Sequence, residues 1–374
     1  MITLLAINWA SVGLQAGQLI LSLSILVIIH ELGHYLTAKW FKCRVEKFYL
    51  FFDPWFSLLK KKVGETEYGV GWLPLGGYVK IAGMIDESMD KEQMKKPAEP
   101  WEFRSKPAWQ RLIIMVAGVT MNILLAFFIY SMILLVWGER KVPVSSMKYG
   151  LAFRDSLMFD LGFKNGDEIL AVNNQPVEEY TDIVKKLILG NEVSIERDGK
   201  LETVTLPVDL IGKLVEKKRS RMPLLEPRIP VIVDEVADSS NAYKAGLKSG
   251  DQIIAVNSAS AIFFDELKNV LENSKEQTVQ VNVLRGKDTL SLPTAVTKDG
   301  TIGFYPVSAI SDLDSMGILK LHITKYSVLQ ALPAGGKMAG ERLLFDIDQF
   351  QKVLSPETGA YKGVGGFKAM GSIF

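Results

Sequence analysis

The chain has 374 residues, enough for two to four compact units of roughly 100–200 residues each. It is 48% hydrophobic and 23% charged with a net charge of +1, which excludes a disordered chain and argues against a nucleic-acid-binding protein. The single cysteine, Cys43, excludes a disulfide framework and a four-cysteine zinc site, and we interpret it as a free structural thiol.

The first predicted element is a membrane-spanning helix over about residues 15–38. No charged residue occurs from residue 1 to residue 29, and about 20 apolar residues suffice to cross a bilayer. A cleaved signal peptide would carry Lys or Arg before the apolar run. None is present, so the sequence favours a retained span.

The sequence HELGH, residues 30–34, lies near the far end of this span and matches the metalloprotease pattern H-E-x-x-H. Residues four apart share one face of a helix, so His30 and His34 can both bind one Zn²⁺. Glu31 can act as the general base toward the attacking water. Polar residues inside an apolar span are costly and indicate function, so we predict a zinc site within the membrane. The alternative is a soluble-type zinc protease with a membrane anchor, whose motif would lie outside the span.

A second membrane-spanning helix is predicted over residues 112–137, a run without a charged residue. Lysines and arginines cluster between the two spans, so the positive-inside rule places this loop in the cytoplasm. The N-terminus and the residues after 137 are then expected on the opposite side, which in a bacterial inner membrane is the periplasm.

Two features near the spans have residue types that suggest specific contacts. In the predicted cytoplasmic loop, residues 64–84, alternating apolar residues surround Pro74, Gly76 and Gly77 and predict a β-hairpin. Its edge could receive an unwound substrate strand by strand addition. In the second span, Asn122 is a lone amide in an apolar helix and needs a partner, such as a hydrogen-bonding group on another helix.

An internal repeat follows the second span. LGFKNGDEILAVN at residues 161–173 and AGLKSGDQIIAVN at residues 245–257 agree at 8 of 13 positions. Each copy continues into a helical segment and then into strands. The helical segments cover residues 180–189 and 264–272, and we predict two modules over about residues 141–215 and 222–306.

The remaining segments carry weaker signals. The basic run at residues 213–221 is interpreted as a solvated linker between the modules. In residues 307–374, apolar residues recur at helical spacing after Pro333 and predict an amphipathic helix near the membrane surface. His322 has no acidic or histidine neighbour at ligand spacing and is interpreted as a surface residue.

These motifs together resemble the site-2 protease family, and specifically its regulator-of-sigma-E branch from bacteria. The resemblance rests on HELGH and on YGVGWLPLGGYVK at residues 68–80, FRSKPAWQR at residues 103–111 and GVTMN at residues 118–122, where Val119 replaces the usual proline. The repeat resembles the core of PDZ domains. The implied fold is a multi-pass α-helical membrane domain with a membrane-associated β-hairpin, followed by two periplasmic α+β PDZ domains in tandem.

The resemblance implies a zinc-dependent intramembrane endopeptidase that acts in regulated intramembrane proteolysis during stress responses. Its substrates would be single-pass membrane proteins already trimmed outside the membrane, such as an anti-sigma factor or a signal peptide remnant. Asn122, Gly76, Gly77 and Tyr78 would contact the substrate, and the lipid bilayer would surround the spans. The PDZ domains would bind peptide ligands or exclude untrimmed substrates.

The family also has a third zinc ligand, the aspartate of an L-D-G motif in a third span. This sequence has no such motif, and its two Asp-Gly pairs, at Asp198 and Asp299, lie in the module region. We therefore expect the sequence to be an N-terminal portion of a longer protein that alone binds zinc weakly and does not cleave. The alternative function is a non-catalytic membrane adaptor that uses its PDZ pair.

Overall fold

The computed structural model describes residues 9–84, 97–216 and 223–365, which divide into two compact units. The first unit contains the residues up to 137 together with residues 326–343. The second contains residues 138–325 and 344–363.

Two long apolar helices dominate the first unit: α1 (Trp9–Trp40) and α2 (Ala108–Trp137). Both are long and apolar enough to span a bilayer. Each helix begins earlier than predicted. In α2, for example, Gln110 and Arg111 belong to the helix although they precede its apolar run. It starts directly after Pro107, where a proline is compatible with a helix start.

The loop between the two helices forms a four-stranded sheet with the strand order β2-β3-β1-β4. β2 and β3 form a hairpin that turns at Gly64, whose φ of 60° favours glycine. β1 pairs in parallel with β3 and antiparallel with β4. The strands are β1 (Val45–Leu50), β2 (Phe52–Val63), β3 (Thr66–Leu73) and β4 (Tyr78–Ile81).

The hairpin predicted around Pro74, Gly76 and Gly77 is wrong. β3 and β4 flank this segment, but each pairs with β1 and not with the other. A Cβ atom at Gly77 would lie 2.7 Å from the Tyr49 carbonyl oxygen on β1. This glycine therefore permits a close approach to β1 instead of a tight turn between β3 and β4.

The second unit contains the two predicted modules, which share one order of elements and one sheet topology. The four-stranded sheets have the equivalent orders β10-β9-β7-β8 and β16-β15-β13-β14, and each module adds a two-stranded sheet, β6-β11 or β12-β17. The elements of the first module are β6 (Leu151–Phe153), α3 (Ser156–Asp160), β7 (Glu168–Val172), β8 (Gln175–Pro176), α4 (Tyr180–Leu189), β9 (Glu192–Arg197), β10 (Lys200–Thr205), α5 (Leu210–Glu216) and β11 (Leu225–Pro227). Those of the second are β12 (Val233–Val236), α6 (Asn241–Lys244), β13 (Gln252–Val256), β14 (Ala259–Ser260), α7 (Phe264–Asn273), β15 (Thr278–Arg285), β16 (Asp288–Ala295) and β17 (Phe304–Pro306).

The module boundaries differ from the predicted ones. The first module continues past residue 215 to β11, because β11 pairs with β6. The predicted linker begins inside α5, and its remainder, residues 217–221, lies outside the described residues. Residues after the second module return to the first, where Val307, Leu313 and Leu319 join the hydrophobic core.

Two paired strands and two helices remain. β18 (His322–Thr324) pairs with β5 (Glu139–Lys141) and exposes His322, as predicted. α8 (Ile310–Ser315) precedes β18, and α9 (Val328–Leu354) follows it. The predicted amphipathic helix is thus present, but it begins before Pro333 because Ser327 and Gln330 form an N-terminal cap, in which the Ser327 backbone N–H donates to Gln330 Oε1 at 3.1 Å.

Candidate metal centre and active-site cleft

The HELGH segment lies inside α1, and its two histidines project from successive turns toward one point. His30 Nε2 and His34 Nε2 are 3.2 Å apart. α2 packs against the same stretch of α1, since a Cβ atom at Gly33 would lie 2.4 Å from the Ala117 carbonyl oxygen. The two helices together therefore set the position of both imidazole rings.

The other nitrogen of each ring is held by α2. His34 Nδ1 lies 2.7 Å from the Ile114 carbonyl oxygen, which can only accept, so Nδ1 carries the proton and Nε2 has a free lone pair. The Asn122 amide lies 3.3 Å from His30 Nδ1, and its Oδ1 is buried without a partner. A 180° turn of that amide lets Oδ1 accept from His30 Nδ1–H and leaves the Nε2 lone pair of His30 free.

This arrangement fits a zinc ion. Two lone pairs 3.2 Å apart cannot hydrogen-bond to each other, whereas two tetrahedral ligands at about 2.0–2.1 Å from zinc are about 3.3 Å apart. A Cβ atom at Gly118 would lie 2.5 Å from Nε2 of both histidines, so glycine keeps this space clear. Within the described ranges, no three His, Cys, Asp or Glu side chains lie close enough to hold a metal together.

Glu31 faces the sheet. The backbone N–H of Val79 on β4 donates to the Glu31 carboxylate, so β4 runs directly beside the acid. Glu31 and His34 line a cavity of about 680 Å³ between α1 and the sheet. Its other wall residues come from the sheet and the segment that follows it: Phe52, Asp53, Pro54, Leu73, Gly77, Tyr78, Val79, Ile81 and Met84.

The structure therefore brings together most of the residues predicted from the sequence. Asn122 lies against His30, while Gly77 and Tyr78 line the cavity with Glu31. Gly76 lies just behind the cavity wall, where a Cβ atom would be 2.9 Å from the Phe52 ring. Their roles in metal binding, catalysis and substrate binding stay predictions.

Asp53 is the wall residue that the sequence reasoning missed. Its Oδ1 accepts from the Tyr78 hydroxyl and its Oδ2 from the Ser57 hydroxyl, both at 2.9 Å. Burial and the bond to Asp53 raise the pKa of Tyr78 well above its ordinary value, so Tyr78 keeps its proton and acts as the donor. An Asp-Pro pair inside a strand-like run is a signal of a bulge or turn, and it could have drawn attention to Asp53 and Pro54.

The chain resembles several bacterial proteins that carry the name "Putative zinc metalloprotease". It is 37% identical to one from Chlamydia pneumoniae over 47% of this chain and 28% of that protein. It is 28% identical to one from Borreliella burgdorferi over 76% of this chain and 64% of that protein. A third, from Neisseria meningitidis, is 28% identical over 72% of this chain and 60% of that protein. The chain thus spans less than two-thirds of the length of these relatives.

A solved structure of the PDZ domain of an SdrC-like protein from Listeria monocytogenes matches 22% of this chain and 90% of that domain, at 28% identity and a TM-score of 0.19. The model of peptidase family M50 matches residues 18–362, which include the metal centre, the sheet and both modules. This match confirms the resemblance to the site-2 proteases. Together with the two apolar helices, it identifies the chain as part of a membrane protein. It belongs to peptidase family M50.

Proposed function

We propose that this protein is a zinc-dependent endopeptidase that cleaves its substrates within the membrane. The observation that carries the proposal is the pair of imidazole nitrogens, 3.2 Å apart, inside an apolar helix and beside a carboxylate that lines a cleft. His30 and His34 would hold the zinc, which when bound acts as a Lewis acid toward water and the scissile carbonyl. Glu31 would take a proton from the attacking water and deliver it to the leaving amine.

β4 is the element best placed to present the substrate. It lies at one end of the strand order, so one of its sides has no strand partner among the described residues. A substrate segment unwound from its helix could pair with that side and satisfy its own backbone groups. Because Val79 donates to Glu31, such a segment would pass close to the acid.

The substrates would be single-pass membrane proteins already trimmed outside the membrane, such as an anti-sigma factor or a signal peptide remnant. The positive-inside rule supports a cytoplasmic sheet and periplasmic modules in a bacterial inner membrane. The two modules would act as PDZ domains that bind peptides or exclude untrimmed substrates. Their shared element order supports a common role.

The experiment that tests this function replaces Glu31 by Gln in the protein in its native membrane. Glu31→Gln should abolish cleavage of a model single-pass substrate but leave zinc bound, because both histidines remain. The matched control is Glu46→Gln, which removes an acid that pairs with Lys80 on the sheet. Cleavage by Glu31→Gln at the rate of the unchanged protein would contradict the assignment.

A non-catalytic membrane adaptor is the second candidate, and the observation that favours it is the lack of a third ligand among the described residues. The two candidate functions predict different zinc contents for the purified protein. A protease purified from its native membrane should contain zinc and lose it on replacing His30 and His34, whereas an adaptor would contain none. Labelling of cysteines placed along the outward face of α1 around His30 would separately test a soluble-type site, since that face would react readily with water-soluble reagents only if this part of α1 lay outside the membrane.

A further inference from the structure

We propose that Asp53 is a specificity residue of the cleft and binds a lysine or arginine side chain of the substrate at the cytoplasmic boundary of its membrane span. The inference rests on the proposed function, because it assigns a role to the same cleft. Three features of the described residues carry it: the place of Asp53 in the wall, the conformation that holds it there and its unbalanced charge.

The first feature is the composition of the cavity wall. Among the residues that the structure describes, Asp53 and Glu31 are the two carboxylates of this wall, and no described lysine or arginine lines it. The rest of the wall is mostly apolar, which excludes water and strengthens the field of a charge. Glu31 lies beside His34 and the N–H of Val79, so Asp53 is the acid that is left to interact with a substrate side chain.

The second feature is a bulge that places Asp53 in the wall. The pairing of β2 with β3 shifts register between Phe52 and Ser57. Phe51 and Trp55, on either side, have φ values of 66° and 76°, a left-handed conformation that is unfavourable for aromatic residues. Strained backbone of this kind is retained at functional sites when the surroundings hold it in place.

The surroundings of the bulge come mainly from Trp72 on β3. Its indole Nε1 donates to the Pro54 carbonyl oxygen at 2.9 Å. The rings of Trp55 and Phe56 stack on the same indole, with centroids 6.0 and 5.9 Å away. One hydrogen bond and two ring contacts from Trp72 thus hold the segment that carries Asp53.

The third feature is the charge of Asp53. Its two partners, the hydroxyls of Tyr78 and Ser57, are neutral and give one hydrogen bond to each oxygen. Each carboxylate oxygen can accept a further bond. No ion pair joins Asp53 to a basic side chain in the part of the chain that the structure describes. A carboxylate beside apolar walls is stabilised by a cation, and here the cation would come from the ligand.

The chemistry of single-pass proteins supplies such a cation. Lysine and arginine are enriched at the cytoplasmic ends of membrane spans. The sheet that carries Asp53 lies in the loop that the same rule assigns to the cytoplasm. A basic residue bound by Asp53 would set the register of the substrate along β4 and thereby select the peptide bond that reaches Glu31.

The test measures substrate capture, so it does not depend on cleavage. In a Glu31→Gln background, a photo-crosslinking single-pass substrate with one boundary lysine is compared with its Lys→Gln form. The lysine form should be captured about tenfold more efficiently, the scale of a hydrogen bond to a charged group. Asp53→Asn should remove this preference and still accept from Tyr78, so the sheet should fold. In a charge swap, Asp53→Lys should capture a Lys→Glu substrate better than the lysine form.

The matched control is Glu67→Gln on β3. Glu67 accepts from the Tyr49 hydroxyl at 2.8 Å and does not line the cavity, so its replacement should leave the lysine preference unchanged. Equal capture of both substrates by the Glu31→Gln protein would overturn the inference, as would capture of neither.

The outcomes also separate this inference from the proposed function. If the unchanged protein does not cleave but capture still depends on Asp53 and on the lysine, the inference stands and the proteolytic function fails. If the unchanged protein cleaves while capture is independent of charge, the proteolytic function stands and the inference fails.

Discussion

Two glycines determine how closely α1 and α2 approach each other at the candidate metal centre. A Cβ atom at Gly33 would clash with the α2 backbone at Ala117. A Cβ atom at Gly118 would instead lie 2.5 Å from the two nitrogens of His30 and His34. Gly33 therefore serves helix packing, whereas Gly118 serves the space in front of the histidines.

This difference predicts the effect of Gly118→Ala. Alanine favours a helix over glycine by about 1 kcal/mol, so the variant should fold. Its methyl group would occupy the space in front of His30 and His34, and we expect zinc content to fall at least tenfold, the lower end of the effect of disturbing the surroundings of a metal ligand. Metal analysis of the purified protein measures this. Gly17→Ala is the control, because a Cβ atom there meets nothing within 4 Å. A zinc content equal to that of the control would contradict the prediction.

At the scale of elements, each copy of the repeat has a turn that ends in a Gly-Asp pair, at residues 166–167 or 250–251, and an ion pair to the buried aspartate holds this turn. Asp167 and Asp251 are 1% and 0% exposed, and each accepts two hydrogen bonds from an arginine, Arg197 or Arg285. Each arginine also donates to a backbone carbonyl in the turn region, at Gly162 or Gly246. The repeat in the sequence thus corresponds to a repeated link between the turn and a central strand.

We expect Asp251→Asn to destabilise the second module by about 1.5–3 kcal/mol, the range for hydrogen bonds to charged groups, because the buried Asp251 loses its charge opposite the partly exposed Arg285. Hydrogen exchange along β15 measures the loss. Glu272→Gln is the control, since Glu272 pairs with Lys275 at the surface, where a salt bridge contributes little to stability. Equal hydrogen-exchange protection of β15 in Asp251→Asn and Glu272→Gln would show that the pair of Asp251 and Arg285 is not needed for the stability of the module.

The same aspartate should make the stability of the second module depend on pH. Burial alone would raise the pKa of Asp251, but hydrogen bonds from Arg285 and the Lys248 N–H outweigh it and hold the pKa below its ordinary value. A carboxyl group with a lowered folded-state pKa stabilises the fold above its unfolded pKa of about 3.9, and this stability is lost as the pH falls through the folded pKa. Protection of β15 should therefore decline below about pH 4. A decline of the same size in Asp251→Asn would assign it to other groups.

At the scale of the whole molecule, the first module depends on residues far along the chain. Val307, Leu313 and Leu319, which follow the second module, belong to the core of the first. The modules also contact each other through Arg228, which donates to Asp265 and Glu266 and lies 3.9 Å from the Phe263 ring centroid. The first module is therefore discontinuous in sequence, and each module keeps its own hydrophobic core.

This arrangement predicts that Leu313→Ala weakens the first module and not the second. Leu313 is 3% exposed, and removing a buried leucine side chain typically costs about 2–5 kcal/mol. Hydrogen exchange should increase along β9 and stay unchanged along β15. Met316→Ala is the control, because Met316 is 48% exposed and directly follows α8. Equal loss of protection in both modules would contradict the assignment of Leu313 to the first core.

Local patterns in the sequence determined much of this protein. The uncharged runs predicted α1 and α2, because apolar content over about 20 residues reflects a local property of the chain. The HELGH spacing predicted that His30 and His34 share a helix face, and the repeat predicted α4 and α7. Each of these inferences needs only residues close together in sequence.

Only the tertiary structure decided which distant segments meet. β1 separates β3 from β4, Asn122 lies behind His30, and Leu313 enters the core of the first module. Pro74, Gly76 and Gly77 indicate where the chain turns but not which strand it meets, because strand pairing depends on backbone contacts between residues far apart in sequence. For the same reason Asp53 became a candidate only when the bulge in β2 brought it to the wall that contains Glu31.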